Sequence, residues 1–409
     1  MTERAELTDA LAARFKSPGP KRILTIDGGG VRGALAIGML SKLERTLRDK
    51  LGRPDLVLAD YFDLIGGTST GAIIAAGLAL GRDCANLDAL YRRMGPSIFG
   101  AKLRVPMLQA KFNPLHLQRV LEQELGHDTL GSAPWRTGFA AIAKRVDTGS
   151  PWVLTNNPHS KYWSGDPDEL ARVADEGKRV IVANRDYPVA RVVQASAAAP
   201  FYFDLVQIEV LRGQRGIFFD GGVSPHNNPT LQLAMAALAP AYGFGWAAGG
   251  DNLMVVSVGT GQARPHRPEW VGRRVLAILK ATWALLSVNY DSSQFGIAVM
   301  QWLGQSPQPW RLNSEVGSLS EPAAGSSMSI GVGPGAPMWT FVRYDAPLDA
   351  AWLESTLGSA PTAKLLKAYS RLDGAPHIPV LLEMGAAVGE RIIDAAHFPP
   401  VFDPPPPAS

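Results

Sequence analysis

Cysteine is almost missing from this chain, which has 1 among 409 residues, Cys84. A disulfide within the chain is thereby excluded, as is any site needing several thiolates, and a reducing, cytoplasmic compartment fits best. Long apolar runs are lacking too. The richest stretch, Leu231 to Gly250, is broken by Pro240, Gly243 and Gly245, short of the roughly eighteen residues that a membrane span requires. Met1 to Pro20 has mixed charge and no apolar centre, so it reads neither as a secretion signal nor as a lipid anchor. Membrane contact is therefore expected to be peripheral. Charge excess is small: Lys+Arg 40 against Asp+Glu 37 leaves +3, too weak a balance for a nucleic-acid surface. H-E-x-x-H, paired C-x-x-C and EF-hand patterns are all absent, so neither a metal nor another cofactor is expected.

What is present suits a large core. Hydrophobic residues make up 46% and charged residues 19% of the chain, which excludes wholesale disorder. Arg22 to Ile26 is a β-prone run stopping at Asp27-Gly28-Gly29-Gly30, and Leu35, Met39, Leu43, Leu47 and Leu51 then mark one face of a helix. Phe62 to Ile65 reads as a second strand, followed after Gly71 by the helix-prone Ala72 to Ala76. Strand, glycine turn and helix thus recur, which predicts a mostly parallel sheet sandwiched by helices. Further strands are predicted over Phe139–Val146, Trp152–Thr155, Gly216–Phe219, Leu253–Val258 and Met338–Tyr344. Asp186–Ala199 reads as a helix, and Asn113-Pro114 as the start of one. Residues 304–337 read as a long loop.

Three motifs carry chemistry. Gly67-Thr68-Ser69-Thr70-Gly71 matches G-x-S-x-G between a predicted strand and a predicted helix. There a serine is held on a sharp turn with its hydroxyl exposed, facing helix N–H groups that favour negative charge. The plainer alternative is a helix start capped by Ser or Thr. Gly28 to Gly33 contains G-x-G-x-x-G. Read as a dinucleotide fingerprint it lacks an acidic residue ending the next strand, because Asp49 and Asp55 flank a basic helix end. Read as an oxyanion hole it offers amides free of side-chain obstruction, with Arg32 beside them. Asp220-Gly221-Gly222 ends a predicted strand, where α/β sheets place their sites.

In combination these blocks resemble the patatin-like phospholipase family, in its order and at similar separations. Ala195 to Pro200, Asn227-Asn228-Pro229 and Gly259-Thr260-Gly261 add to the resemblance, which spans roughly residues 20 to 265. Between Val223 and Asn227 the chain is one residue longer than that family's pattern. The resemblance implies a lipid acyl hydrolase of phospholipase A or lysophospholipase type, with Ser69 as nucleophile and Asp220 as its base. It also implies an oxyanion hole from Gly28, Gly29, Gly30 and Arg32, chiefly the Gly29 and Gly30 amides. The organisation expected is an N-terminal segment (1–19), a catalytic core (20–265), a helical extension packed on it (266–397) and a Pro-rich tail (398–409).

Among the seven histidines only His226 lies near a motif, and it follows Asp220 too closely to complete a triad easily. A carboxylate base has an ordinary pKa of about 3.9, so slow turnover is expected unless its surroundings raise its basicity. The helix expected over Glu269–Ser287 carries Trp270, Arg273, Arg274, Lys280 and Trp283, a composition suited either to a lipid interface or to ordinary sheet cover. Met94, Ile98, Phe99 and Val105–Met107 could form a lid. Partners expected are a phospholipid or other acyl ester, a membrane surface and no nucleic acid. Bacterial family members include toxins, housekeeping lipases and nucleotide-activated effectors, which leaves room for a regulatory small ligand. An acyltransferase or thioesterase using the same dyad, and a non-catalytic nucleotide-binding module, are the alternatives.

Overall fold

The computed structural model describes residues 2–99, 114–165, 180–200, 202–262 and 277–405. The expected lid residues Val105–Met107, and Trp270, Arg273 and Arg274 of the expected interfacial helix, lie outside them, as do the side chains of Phe99, Lys280 and Trp283.

After α1 (Thr2–Lys16) the chain forms β1 (Lys21–Ile26), α2 (Gly33–Leu51), the single turn α3 (Leu58–Tyr61), β2 (Leu64–Thr68), α4 (Thr70–Ala79), α5 (Cys84–Phe99) and α6 (Pro114–Leu125). The hairpin β3 (Gly138–Arg145) and β4 (Pro151–Thr155) follows, then α7 (Val189–Ser196), the hairpin β5 (Val206–Leu211) and β6 (Gln214–Asp220), α8 (Thr230–Leu238) and β7 (Leu253–Val258). Beyond lie α9 (Ala277–Trp302), the short strands β8 (Gln305–Ser306), β9 (Ser320–Pro322) and β10 (Ser329–Gly331), then β11 (Thr340–Tyr344), α10 (Ala350–Leu357), α11 (Ala363–Tyr369) and α12 (Ile378–Ile392).

These strands make one mixed sheet flanked by helices, in the order β5-β6-β3-β2-β1-β7-β11-β8-β10-β9, with β4 against β3. Its centre, β3-β2-β1-β7-β11, is parallel, whereas the outer pairings to β4, β5, β6, β9 and β10 are antiparallel. Every residue of β1, β2 and β7 is buried, which explains why they read as apolar runs rather than as alternating strands. α4 is buried throughout, as an all-apolar helix must be. Strand order reverses at β1, with β2 on one side and β7 on the other, so the C-terminal ends of these strands form a switch-point crevice.

The C-terminal region is tightly joined to the rest. β11 pairs with β7 over Thr340–Tyr344, and α12 meets α2 backbone to backbone. A Cβ at Gly38 would lie 2.4 Å from the Leu382 carbonyl oxygen, and one at Gly385 2.2 Å from that of Leu35.

Several local readings shift. The helix expected over Asp186–Ala199 starts later, at Val189, because Pro188 stands at its N-cap in an extended conformation. The expected loop 304–337 holds β8, β9 and β10, each too short to show a period. Met94 and Ile98 are buried on α5, where they serve as core rather than as a mobile flap.

Candidate functional site

The site grows from the ends of β1 and β2. Ser69 has φ 58° and ψ −126° and is the sole positive-φ residue other than glycine among the described residues. Such a backbone costs on the order of 1–3 kcal/mol. Gly67 and Gly71 let the turn close. A Cβ on Gly67 would lie 2.2 Å from the Gly71 carbonyl carbon, and one on Gly71 2.2 Å from the Ile26 carbonyl oxygen. Ser69 stands at the N-cap of α4, yet its side chain makes no capping bond. The hydroxyl instead donates to Asp220 Oδ2 at 2.6 Å.

Asp220 arrives from 151 residues away along the chain, and β3 explains how. Parallel β2 pairs with β3 as far as Thr68 opposite Ile142. Antiparallel β6 starts on the next position, Asp220 opposite Ala143. Because β4 occupies the other edge of β3 at Ala140–Lys144, both partners must share one edge. The end of β2 and the end of β6 therefore meet head-on, with Ser69 and Asp220 as the residues at the junction.

Asp220 is buried at 4% exposure. Burial lifts its pKa from an ordinary 3.8 to about 6, against the pull of hydrogen bonds from Ser69 and from the Gly222 amide. That amide donates to Oδ1 at 2.7 Å, which leaves Oδ2 for the serine. No histidine ring is among the Asp220 partners in the described residues. His226 enters through its backbone, its carbonyl accepting from Thr68 Oγ1 at 2.6 Å.

The glycine loop lies against Ser69, and a Cβ on Gly28 would come within 3.2 Å of the Ser69 Cβ. Its four candidate amides are not equivalent. Gly28 N–H donates to the Asn227 carbonyl at 2.9 Å, and Arg32 N–H donates to the Gly29 carbonyl at 3.2 Å. Among the described residues the Gly29 and Gly30 amides make no backbone hydrogen bond. The Arg32 guanidinium turns to the Gly261 carbonyl at 2.6 Å. Gly30, at φ +59°, packs on Leu372, and a Cβ there would lie 2.3 Å from the Leu372 carbonyl oxygen.

Sequence reasoning missed the supports of this arrangement. Ser196 Oγ accepts from Ser69 N–H at 3.0 Å and donates to the Ile142 carbonyl at 2.6 Å, so it ties the turn to β3. Thr260 Oγ1 donates to the Gly28 carbonyl at 2.9 Å. The side-chain amide of Asn289, on α9, donates to the Gly222 carbonyl. Ser196 and Thr260 sit inside segments that the sequence singled out, but nothing local signals which partner each one takes. Among the described residues no group of three or more His, Cys, Asp or Glu is placed to hold a metal ion.

Residues 24–234 match the family model for patatin-like phospholipases.

The chain belongs to the patatin-like phospholipase family.

Similar proteins include a cGAMP-activated phospholipase of Escherichia coli (strain TW11681), 31% identical over 51% of this chain and 53% of that protein. A cUMP-AMP-activated phospholipase of Escherichia coli is 30% identical over 51% of this chain and 57% of that protein. Patatin-17 of Solanum cardiophyllum is 24% identical over 64% of this chain and 66% of that protein. The chain thus spans about half the length of the two bacterial phospholipases it matches.

Proposed function

We propose that this protein is a lipid acyl hydrolase of phospholipase A or lysophospholipase type, acting through Ser69 and Asp220. The observation that carries the reading is the 2.6 Å bond from Ser69 Oγ to Asp220 Oδ2, made by a serine whose own backbone is held at φ 58°. A helix-capping serine would have no use for that backbone or for a buried carboxylate.

In the first step Ser69 Oγ attacks the ester carbonyl while its proton passes to Asp220. The tetrahedral oxyanion then collapses, the C–O bond of the leaving group breaks, and the proton returns to the departing alcohol. An acyl-enzyme remains. Water attacks it as its proton goes to Asp220, and the fatty acid leaves as Ser69 is reprotonated. A carboxyl with a pKa of about 6 is ionised at neutral pH yet more basic than an ordinary aspartate, which suits this double duty. For the oxyanion the Gly29 and Gly30 amides are the donors of choice, since those of Gly28 and Arg32 are engaged elsewhere. Preorganised amides together with the N-terminus of α4 supply most of the transition-state stabilisation.

Peripheral contact with the lipid surface accompanies this reading. Val288, Phe295 and Trp302 follow one another at intervals of seven on α9 and are 60%, 68% and 41% exposed, so they share one side of the helix. The same helix touches the site through Asn289. Among the described residues no helix is long and apolar enough to cross a membrane. Two relatives are named for activation by a cyclic nucleotide, and ligand control is carried to this chain as part of the same proposal.

Mixed phospholipid vesicles, with and without added cGAMP, provide the test, with mass analysis of the products. Wild type should release fatty acid and lysolipid, and Ser69→Ala should release neither. Transfer of the acyl group to an added alcohol in place of water would favour the acyltransferase alternative. Product release undiminished in Ser69→Ala would sink the reading.

A further inference from the structure

Behind the glycine loop lies a buried ion cluster that the chemistry above leaves unused. Arg343, on β11, is fully buried. Its Nη1 donates to Asp27 Oδ1 at 3.0 Å and its Nη2 to Asp27 Oδ2 at 2.7 Å, a two-pronged pair. Nη2 also reaches Asp345 Oδ2 at 2.7 Å, and Nη1 reaches Ser257 Oγ at 2.7 Å. The other Asp345 oxygen accepts from Gly261 N–H at 2.9 Å. Register makes this reach natural. Thr25 on β1 pairs with Ser257 on β7, and Ser257 pairs with Arg343 on β11. Asp27 and Asp345 stand two residues beyond Thr25 and Arg343, on the same face of the sheet.

One cation therefore links the root of the glycine loop to the turn after β7. Arg32 closes the circuit from the other end of the loop through its 2.6 Å bond to the Gly261 carbonyl. Between them Gly29 rests directly on that turn, since a Cβ there would lie 2.2 Å from Thr260 Oγ1. Two carboxylates share one guanidinium, and burial raises Asp27 above the usual carboxylate range, while for Arg343 burial pulls the other way and the two anions outweigh it and push it up. Buried ion clusters are a weak source of stability, because desolvation consumes most of their Coulombic gain. What a forked, fully buried guanidinium does supply is fixed direction.

We infer that Arg343, which lies beyond the family-matched residues 24–234, is a positioning residue for the reaction. It anchors Asp27 and, through Asp345, the Gly259–Gly261 turn, and so holds the Gly29 and Gly30 amides where the oxyanion forms. This rests on the acyl-hydrolase reading above.

Arg343→Lys keeps the charge but loses the fork, and Asp27→Asn keeps the shape but loses the charge. Both variants, their double and a Ser69→Ala control are assayed for kcat and KM on a dispersed short-chain ester, for the rate of Ser69 labelling by a fluorophosphonate, and for Tm. Each single variant should lose roughly tenfold to a hundredfold in kcat and in labelling rate, with KM within about twofold. The double should be no slower than the slower single, because the two side chains act as a unit. A variant that melts lower yet turns over at the wild-type kcat while folded would show a purely structural role and overturn the proposal, as would independent, multiplying losses in the double. If Arg343→Lys does not fold, Asp27→Asn carries the same comparison. Activity persisting in Ser69→Ala would instead defeat the underlying reading, whatever Arg343 does.

Discussion

The backbone N–H of Ser69 donates to the hydroxyl of Ser196 at 3.0 Å, and that hydroxyl donates onward to the Ile142 carbonyl. A strained turn and the middle strand of the site are thereby fastened by one side chain. Ser196→Ala leaves the Ser69 N–H and the Ile142 carbonyl without this partner. A loss of about 1–3 kcal/mol in unfolding free energy is expected, and a fall in kcat larger than that in 1/KM. Urea titration and steady-state kinetics check the two parts separately.

On the proposed mechanism Asp220 links activity and stability with opposite signs. Its carboxyl ionises near pH 6 in the folded protein against an ordinary 3.8, so kcat/KM should fall as pH drops through about 6. For stability, a raised folded pKa gives a contribution fully present below about pH 4 and lost as pH rises through about 6. At pH 7 the ionised form is then disfavoured by roughly 2–3 kcal/mol. Asp220→Asn should therefore abolish hydrolysis yet raise Tm above pH 7, with the gain shrinking toward pH 4. A Tm difference that does not depend on pH would contradict this account.

Gly71 is fixed by contact rather than by backbone angle. Its missing Cβ makes room for the Ile26 carbonyl oxygen at 2.2 Å, a backbone atom that cannot swing away. Gly71→Ala should push α4 off β1 and cost about 1–3 kcal/mol, with loss of fluorophosphonate labelling at Ser69. Gly52→Ala provides the contrast: no heavy atom lies within 4 Å of its Cβ position, and only its φ of +63° opposes the change.

Cys84 is the single thiol and is buried at 1% exposure. Burial first, and then the neighbouring Glu44, push it well above the ordinary thiol range. In the native protein it should resist iodoacetamide at pH 8, and its labelling rate should report opening of the α2–α5 contact. Rapid labelling of fully native protein would refute the placement of α5.

Phe295, 68% exposed on α9, separates interfacial binding from chemistry. Phe295→Asp should leave hydrolysis of a dispersed short-chain ester unchanged while lowering vesicle hydrolysis and vesicle co-sedimentation severalfold. Equal loss on both substrates would place Phe295 in some other role.

Much of this protein is legible locally. The strands β1 and β7 are short β-prone runs that stop at glycine-bearing turns, and α2 announces itself by an apolar residue every fourth position from Leu35 to Leu51; β2 instead starts two residues later than the run Phe62–Ile65 and continues through Gly66 and Gly67 to Thr68. The glycines of the 67–71 turn mark a close approach by their spacing alone. Where reading fails, the cause is an absence of period or a distant partner. β8, β9 and β10 have two or three residues each, too few to alternate. β5 is the exception: Val206–Val210 alternates buried and exposed, a period legible in its residues. The membership of β11 in the central sheet depends on β7, some eighty residues earlier.

What the sequence determined by itself is the set of parts that the proposed reaction uses: a serine between glycines at a strand end, an aspartate before two glycines and a run of unobstructed amides. These follow from backbone sterics and period, both properties of neighbouring residues. Tertiary structure alone decided how the parts combine. The register of β3 sets the end of β6 against the end of β2, hydrogen bonds to Asn227 and Gly29 leave two amides of four without a backbone partner among the described residues, and Arg343 reaches across β7 to the root of the loop. Apart from the local Arg32-to-Gly29 bond, such pairings join segments far apart along the chain, Asp27 and Arg343 by 316 residues, and no local pattern encodes a partner at that distance.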